Sequence, residues 1–359
     1  MQDLVFNHMF IAFSIPQHRE HMRAGAPSEP LLAHAAAKLM NEFGLDMVRS
    51  LTEGFTHGLL DKSQRVGLVA RLLLIFAHDK AQGPQRSLSD PPAATNWSQK
   101  VPVLTFLEAL FATDHHESIR GCLPANAEQL EEPAKTLGEA FRGAYVRFSH
   151  FVQLGRTNMV DTHVGAAALA RGMAFQGYHG QPGWDVAIPV LMKDVRFDHS
   201  HVTFILIRVN RRAKRRNVDV EGIKGMLAND HPCIAIEMQL GVHGVDDDGK
   251  QGHSNTDSEK AGVTVSEPAT GTTASPKHSG PSRGTRSQKS MRAQVPCYRI
   301  QAFGCSSKVY GVIDPNQEDQ YASLLASLGV HQPEEDARQY SEEPQFLDCV
   351  RRMKSVWVQ

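Results

Sequence analysis

The run Val202 to Val209, VTFILIRV, restricts the possible folds more than any other part of the chain. It is β-branched and aliphatic on both faces up to Arg208, and a strand with two apolar faces must be covered by helices on each side. A Pro-Gly turn at Pro182-Gly183 and a short apolar segment, Trp184 to Val190, precede it and read as a companion strand carrying Asp185. Upstream, Val160 to Phe175 reads as a helix. Its small residues Gly165, Ala166, Ala167, Ala168, Ala170 and Gly172 would let it lie close against a sheet. Downstream, a short helix from Val218 to Leu227 and a strand from Cys233 to Val242 complete an α-β-β-α-β unit.

The rest of the chain divides around this unit. Residues 28–118 read as helical: Ser28-Glu29-Pro30 starts a helix that Gly44 ends, and Asp61-x-x-Gln64 has the form of a capping box. Behind that box, Val66 to His78 is apolar nearly all round, which predicts a buried central helix. Ala81 to Lys100 is a loop, Val103 to Ala112 a further helix, and Leu137, Phe141, Tyr145, Phe148 and Phe151 or Val152 recur at helical spacing. No aromatic residue falls between Phe204 and Tyr298, and Gly244 to Gln294 shows neither period, so that segment is expected to be disordered. YRIQAFGC from Tyr298 and KVYGVI from Lys308 read as strands, with helices near Tyr321 to Leu328 and Phe346 to Val358. The expected class is α+β: a helical region over 1–135, a small mixed sheet flanked by helices over 136–243, a low-complexity insert over 244–294, and closing strands and helices over 295–359.

Charge and motifs exclude several functions. A net charge of −1 provides no global attraction to nucleic acid or anionic membrane, so any such attraction must be local. Its one dense source is the basic patch Arg208, Arg211, Arg212, Lys214, Arg215 and Arg216. That patch reads in three ways: a nuclear-import segment, an edge contacting backbone phosphates, or a solvated loop. The five cysteines are far apart without a CxxC, as expected for free thiols in a reducing compartment. No run approaches the ~20 apolar residues of a membrane span, and the chain is expected to be intracellular, nuclear or cytoplasmic. Walker, GxGxxG, GxSxG and HExxH motifs are absent. Asp114-His115-His116-Glu117 and His199-x-His201 lack helical ligand spacing and read as surface polar groups rather than metal ligands.

Through ARGMAFQ, QPGWDVAIPV and ILIRV, between Ala170 and Val209, the chain resembles a PD-(D/E)xK nuclease-like core of restriction-endonuclease type. As a whole it resembles an uncharacterised protein family of mushroom-forming fungi. The nuclease resemblance implies an Asp on one strand and a Glu, Asp or Gln on the next sharing Mg²⁺, with a Lys two residues on. Asp185 matches the first position, but Arg208 stands at the second and Asn210 at the Lys position. A guanidinium repels a cation and Asn carries no charge to stabilise an attacking hydroxide. The implied site (Asp185, Arg208, Asn210) is therefore vestigial, with no cofactor, in a protein that binds DNA or RNA non-specifically. Three alternatives stand beside that reading. In the first, Asp185 pairs with Arg208 across the strands with nothing to catalyse. In the second, a structural or protein-interaction module uses the helical half as its binding surface. In the third, an Mg²⁺ nuclease draws displaced ligands from Glu237, Asp194, Asp198 or Asp161, with Arg211 in place of the Lys.

Overall fold

A computed structural model describes residues 11–14, 23–25, 48, 49, 51, 62–83, 99–130, 133–155, 160–178, 182–193, 198–210, 218, 231–241, 262–265 and 295–326. The expected helices over 31–44, 218–227 and 346–358 lie outside these residues, Val218 excepted, as do Asp194 and the basic residues 211–216.

Within the described residues the architecture is mixed α/β. A hairpin of β1 (Ile11–Ser14) and β2 (Arg23–Gly25) stands apart from the main sheet and shows that the N-terminal region is not helical throughout. The main sheet takes β3 (Val101–Pro102), β4 (Tyr145–Val146), β5 (His150–Gln153), β6 (Met173–Gln176), β7 (Val186–Leu191), β8 (Val202–Asn210), β9 (Cys233–Gln239), β10 (Gly262–Val265) and β11 (Cys297–Phe303). Its order is β10-β11-β9-β8-β7-β4-β3. The outer edge of β7 is shared: its first residues pair with β6, which carries β5, and its last with β4. β6, β7 and β8 run antiparallel in turn, whereas β8, β9 and β11 are parallel.

Both faces of β8 are covered, as its apolar composition demands. On one side Ile205 and Ile207 join a core with α1 (Lys62–Ala81), α2 (Val103–Leu110), Ile119 of α3 (His116–Gly121) and Tyr321 and Leu324 of α6 (Glu318–Ala326). Val69, Ala70, Leu73, Leu74 and Ala77 of α1 are fully buried, which makes it the central helix that its sequence predicts. On the other side Val202, Phe204 and Leu206 meet α5 (Thr162–Arg171). α5 starts at Asp161, whose side chain accepts from the Val164 amide, and ends at Gly172 in the left-handed conformation (φ 67°) that glycine adopts without strain. It lies so close to the sheet that a Cβ on Gly165 would sit 2.8 Å from both Phe204 Cζ and Val202 Cγ1.

Several expectations fail here, each for a local reason. The helix expected over Leu137 to Val152 is a single turn, α4 (Leu137–Ala140), held by a Thr136–Glu139 capping box and broken by Gly143 at φ 78°. β4 and β5 follow, because β7 and β6 offer them partners. The helix expected to run to Phe175 stops at Gly172, and Met173 onward pairs as β6. Of KVYGVI only Tyr310 bridges, to Phe111; turns occupy the rest. In the segment expected to be disordered, Gly262 to Val265 forms β10 against β11.

Candidate functional site

The sheet face that α5 covers changes character along its strands. At one level it presents Phe204, Leu206, Ala235 and Cys233; a few residues on, toward the C-terminal ends of β8, β9 and β11, it turns polar. The register fixes a row. Asp185, one residue before β7, stands opposite Arg208, which pairs with Glu237, which pairs with Gln301, which pairs with Thr264. One step further, Asn210 pairs with Gln239 and Gln239 with Phe303. Because side chains alternate along a strand and neighbouring strands lie about 4.8 Å apart, these groups share one face and one end of the sheet.

The contacts within this row are specific. The Asp185 carboxylate accepts from the Val209 amide at 2.8 Å and lies 3.5 Å from Arg208 Nε. The guanidinium is 13% exposed and the carboxylate 39%, so their attraction is only partly screened. Glu237 is buried, with one oxygen accepting from the Val218 amide at 3.2 Å and the other from Gln301 Nε2 at 2.9 Å. Thr264 Oγ1 donates weakly to Gln301 Oε1 at 3.5 Å. Asn210, Glu237, Gln239, Gln301 and Phe303 line a small hollow that opens to solvent.

Asp185, Arg208 and Asn210, singled out by sequence, thus come together, and the cross-strand ion pair is formed. Glu237, considered from sequence only as a displaced metal ligand, and Gln301, which the sequence did not single out, complete the row. The Asp185 and Glu237 carboxylates stand two strands apart, about 10 Å at the backbone, with the Arg208 guanidinium between them. These residues do not suit a divalent cation: its seat would hold a fixed positive charge, and both acids already accept backbone amides. Among the described residues no group of three or more His, Cys, Asp or Glu side chains is arranged to hold a metal ion.

The remaining candidate ligands serve local structure. Asp161 caps α5, and Asp198 accepts from the amide and hydroxyl of Ser200, which hold its carboxyl below the usual range. His115 and His116 bond the carbonyls of Lys308 and Phe111, so this pair ties a loop rather than facing solvent alone. His199 stacks on His163 with ring centres 3.8 Å apart. Arg211, Arg212, Lys214, Arg215 and Arg216 lie outside the described residues, but the residues that flank them do not: Asn210 ends β8 in the polar row and Val218 is bonded to Glu237.

Residues 1–221 match a family described as a domain of unknown function, DUF8736. The chain belongs to this family. The DUF8736 match takes in Asp185, Arg208, Asn210 and the whole basic run, whereas Glu237, Gln301 and the strands carrying them follow it in sequence. No curated protein and no solved structure matches the chain. Among the described residues no helix is long and apolar enough to cross a membrane.

Proposed function

We propose that this DUF8736 chain binds DNA or RNA non-specifically at the polar end of its sheet without cleaving it. On this reading the region is a degenerate PD-(D/E)xK nuclease-like core, in a protein related to those of mushroom-forming fungi and acting in the nucleus or cytoplasm. The observation that carries the reading is the position of Arg208, a guanidinium beside Asp185 where a nuclease would hold its cation. Two further features support it: the succession α5-β6-β7-β8 followed by a parallel β9, and the attachment of both flanks of the basic run, Asn210 and Val218, to that same sheet end. Phosphate contacts from Arg211, Arg212, Lys214, Arg215 and Arg216 would give affinity without sequence preference.

The test is fluorescence anisotropy with labelled oligonucleotides at several salt concentrations. Affinity should fall steeply between about 50 and about 200 mM salt, and neutralising Arg211, Arg212, Arg215 and Arg216 together should reduce the log–log salt slope by about 4. Salt-insensitive binding, an unchanged slope, or Mg²⁺-dependent cleavage abolished by Asp185→Ala would overturn the proposal.

One observation favours a second reading. Both acids of the row are engaged with backbone amides of their own chain, as in a scaffold whose polar residues serve the fold. A structural or protein-interaction module is then the alternative, and absence of oligonucleotide binding even at low salt would select it.

A further inference from the structure

From the same sheet face, below the polar row, we infer that Cys233 and Cys297 constitute a redox-modification site that hydrogen peroxide converts to a reversible disulfide. The two residues open β9 and β11 and are register partners on adjacent parallel strands. Adjacent strands set their Cα atoms about 4.8 Å apart, inside the range of roughly 4.4–6.8 Å that a disulfide spans. Both are free thiols on one face, at register-paired positions of neighbouring strands. The backbone there is clamped: Cys297 N–H donates to Asn126 Oδ1 at 3.0 Å, Ala125 N–H donates to the Cys297 carbonyl at 2.8 Å, and Cys233 N–H donates to the Pro296 carbonyl at 2.9 Å. The pair is therefore held in bonding range rather than meeting by fluctuation.

The two sulfurs are unlike. The neighbouring Cys233 side chain and the Arg299 guanidinium hold the Cys297 thiol below its ordinary range, whereas its interaction with Cys297 and burial push Cys233 well above it. Cys297 retains 4% exposure whereas Cys233 has none, so a small oxidant meets Cys297 first. By contrast, burial pushes Cys122 and Cys305 up to about 12, which leaves them inert. In the reaction, the Cys297 thiolate attacks one peroxide oxygen, the O–O bond breaks, and the departing hydroxide takes a proton to leave as water. The resulting sulfenic acid is then attacked by the Cys233 sulfur, which forms the S–S bond, releases its proton and expels a second water. Two thiols are oxidised by two electrons and one peroxide is reduced to two waters. The bridge ties together the strands that, four residues on, carry Glu237 and Gln301.

The experiment treats the full-length reduced protein with graded hydrogen peroxide, quenches it, denatures it, counts thiols with Ellman's reagent and maps peptides by mass. Of the five cysteines, two should be lost, with the peptides of Cys233 and Cys297 linked, the mass reduced by two hydrogens, and full recovery on adding dithiothreitol. Cys297→Ala should abolish the linkage; Arg299→Gln should slow it severalfold and Arg299→Lys restore the rate. Five thiols persisting at peroxide levels that oxidise glutathione, overoxidation of Cys297 without linkage, or a bridge involving Cys122, Cys305 or Cys349 would each overturn the inference. If the alanine variant fails to fold, the peptide map of the unaltered chain decides.

Discussion

Replacing Gly165 by Ala tests the geometry that brings α5 onto the sheet. In an open helix this substitution stabilises by about 1 kcal/mol, because glycine has more backbone freedom to lose. Here the new Cβ would lie 2.8 Å from Phe204 Cζ and 2.8 Å from Val202 Cγ1. Carbon atoms pack best at about 3.5–4.0 Å, so each contact overlaps by about 0.7–1.2 Å. Phe204 and Val202 are 0% and 1% exposed, which leaves neither side chain room to swing away, and the helix must lift instead. Overpacking of this kind costs about 1–3 kcal/mol, which outweighs the gain in helix propensity and leaves a net loss of up to about 2 kcal/mol. Urea titration followed by circular dichroism should therefore show a lower midpoint for Gly165→Ala. Phe204→Leu removes the Cζ atom, and the double variant should recover about 1 kcal/mol relative to the sum of the single changes. A raised midpoint for Gly165→Ala, or strict additivity with Phe204→Leu, would refute the close approach.

Three further outcomes are expected. Glu237→Ala leaves the Val218 amide and the Gln301 side chain unpaired and should cost about 2–3 kcal/mol in urea titration, whereas Glu237→Gln keeps an acceptor and should cost less. Burial depresses the His78 pKa to about 3, so lowering pH below 6.5 protonates only the unfolded state there and destabilises; burial raises Asp79 to about 6, so falling pH stabilises by that group between about 6 and 3.8. The urea midpoint of the unaltered protein should change little from these two groups between pH 6 and 4, fall across that window in Asp79→Asn, and rise in His78→Gln. Changing Arg208 to Gln together with Asn210 to Lys removes the guanidinium from the row, and Mg²⁺ should then raise the melting temperature in differential scanning fluorimetry, an effect that Asp185→Asn abolishes.

What the sequence disclosed follows the range of the interactions involved. The apolar runs of β7, β8 and β9 announce buried strands because burial on both faces leaves no polar alternation, and α1 is evident from apolar residues all round its axis. Asp185 and Arg208 could be paired in advance because a single short connection joins their antiparallel strands and fixes the register. Phe141, Phe148 and Phe151 misled because their spacing imitates a helix. They are core or core-facing residues of a turn, the link after β4 and β5 itself, and the strands β4 and β5 find their partners, β7 and β6, only later in the chain. β10 was hidden for the same reason: Gly262 to Val265 is only four residues long within a polar stretch, and its partner β11 comes some thirty residues later. Glu237 and Gln301 depend on parallel pairings across long crossovers, a register that no local pattern encodes.

The polar row also links the fold to the proposed binding activity. Asn210, Glu237 and Gln239 are 9%, 7% and 5% exposed, and polar groups withdrawn from water to that degree persist only if hydrogen-bonded. Glu237 is satisfied by the Gln301 side chain and by the Val218 amide, which belongs to the connection that carries the basic run. The buried carboxylate therefore acts as an anchor: it fixes the chain just past Arg216, while the β8 ladder fixes it just before Arg211. A cationic segment held at both ends loses less conformational freedom on meeting phosphate than a free tail would, so less of its electrostatic attraction is spent on ordering. Removing the anchor with Glu237→Ala should then weaken oligonucleotide binding without changing its salt slope, since every positive charge is still present. Neutralising the arginines changes both affinity and slope, and this difference separates an ordering effect from a loss of charge.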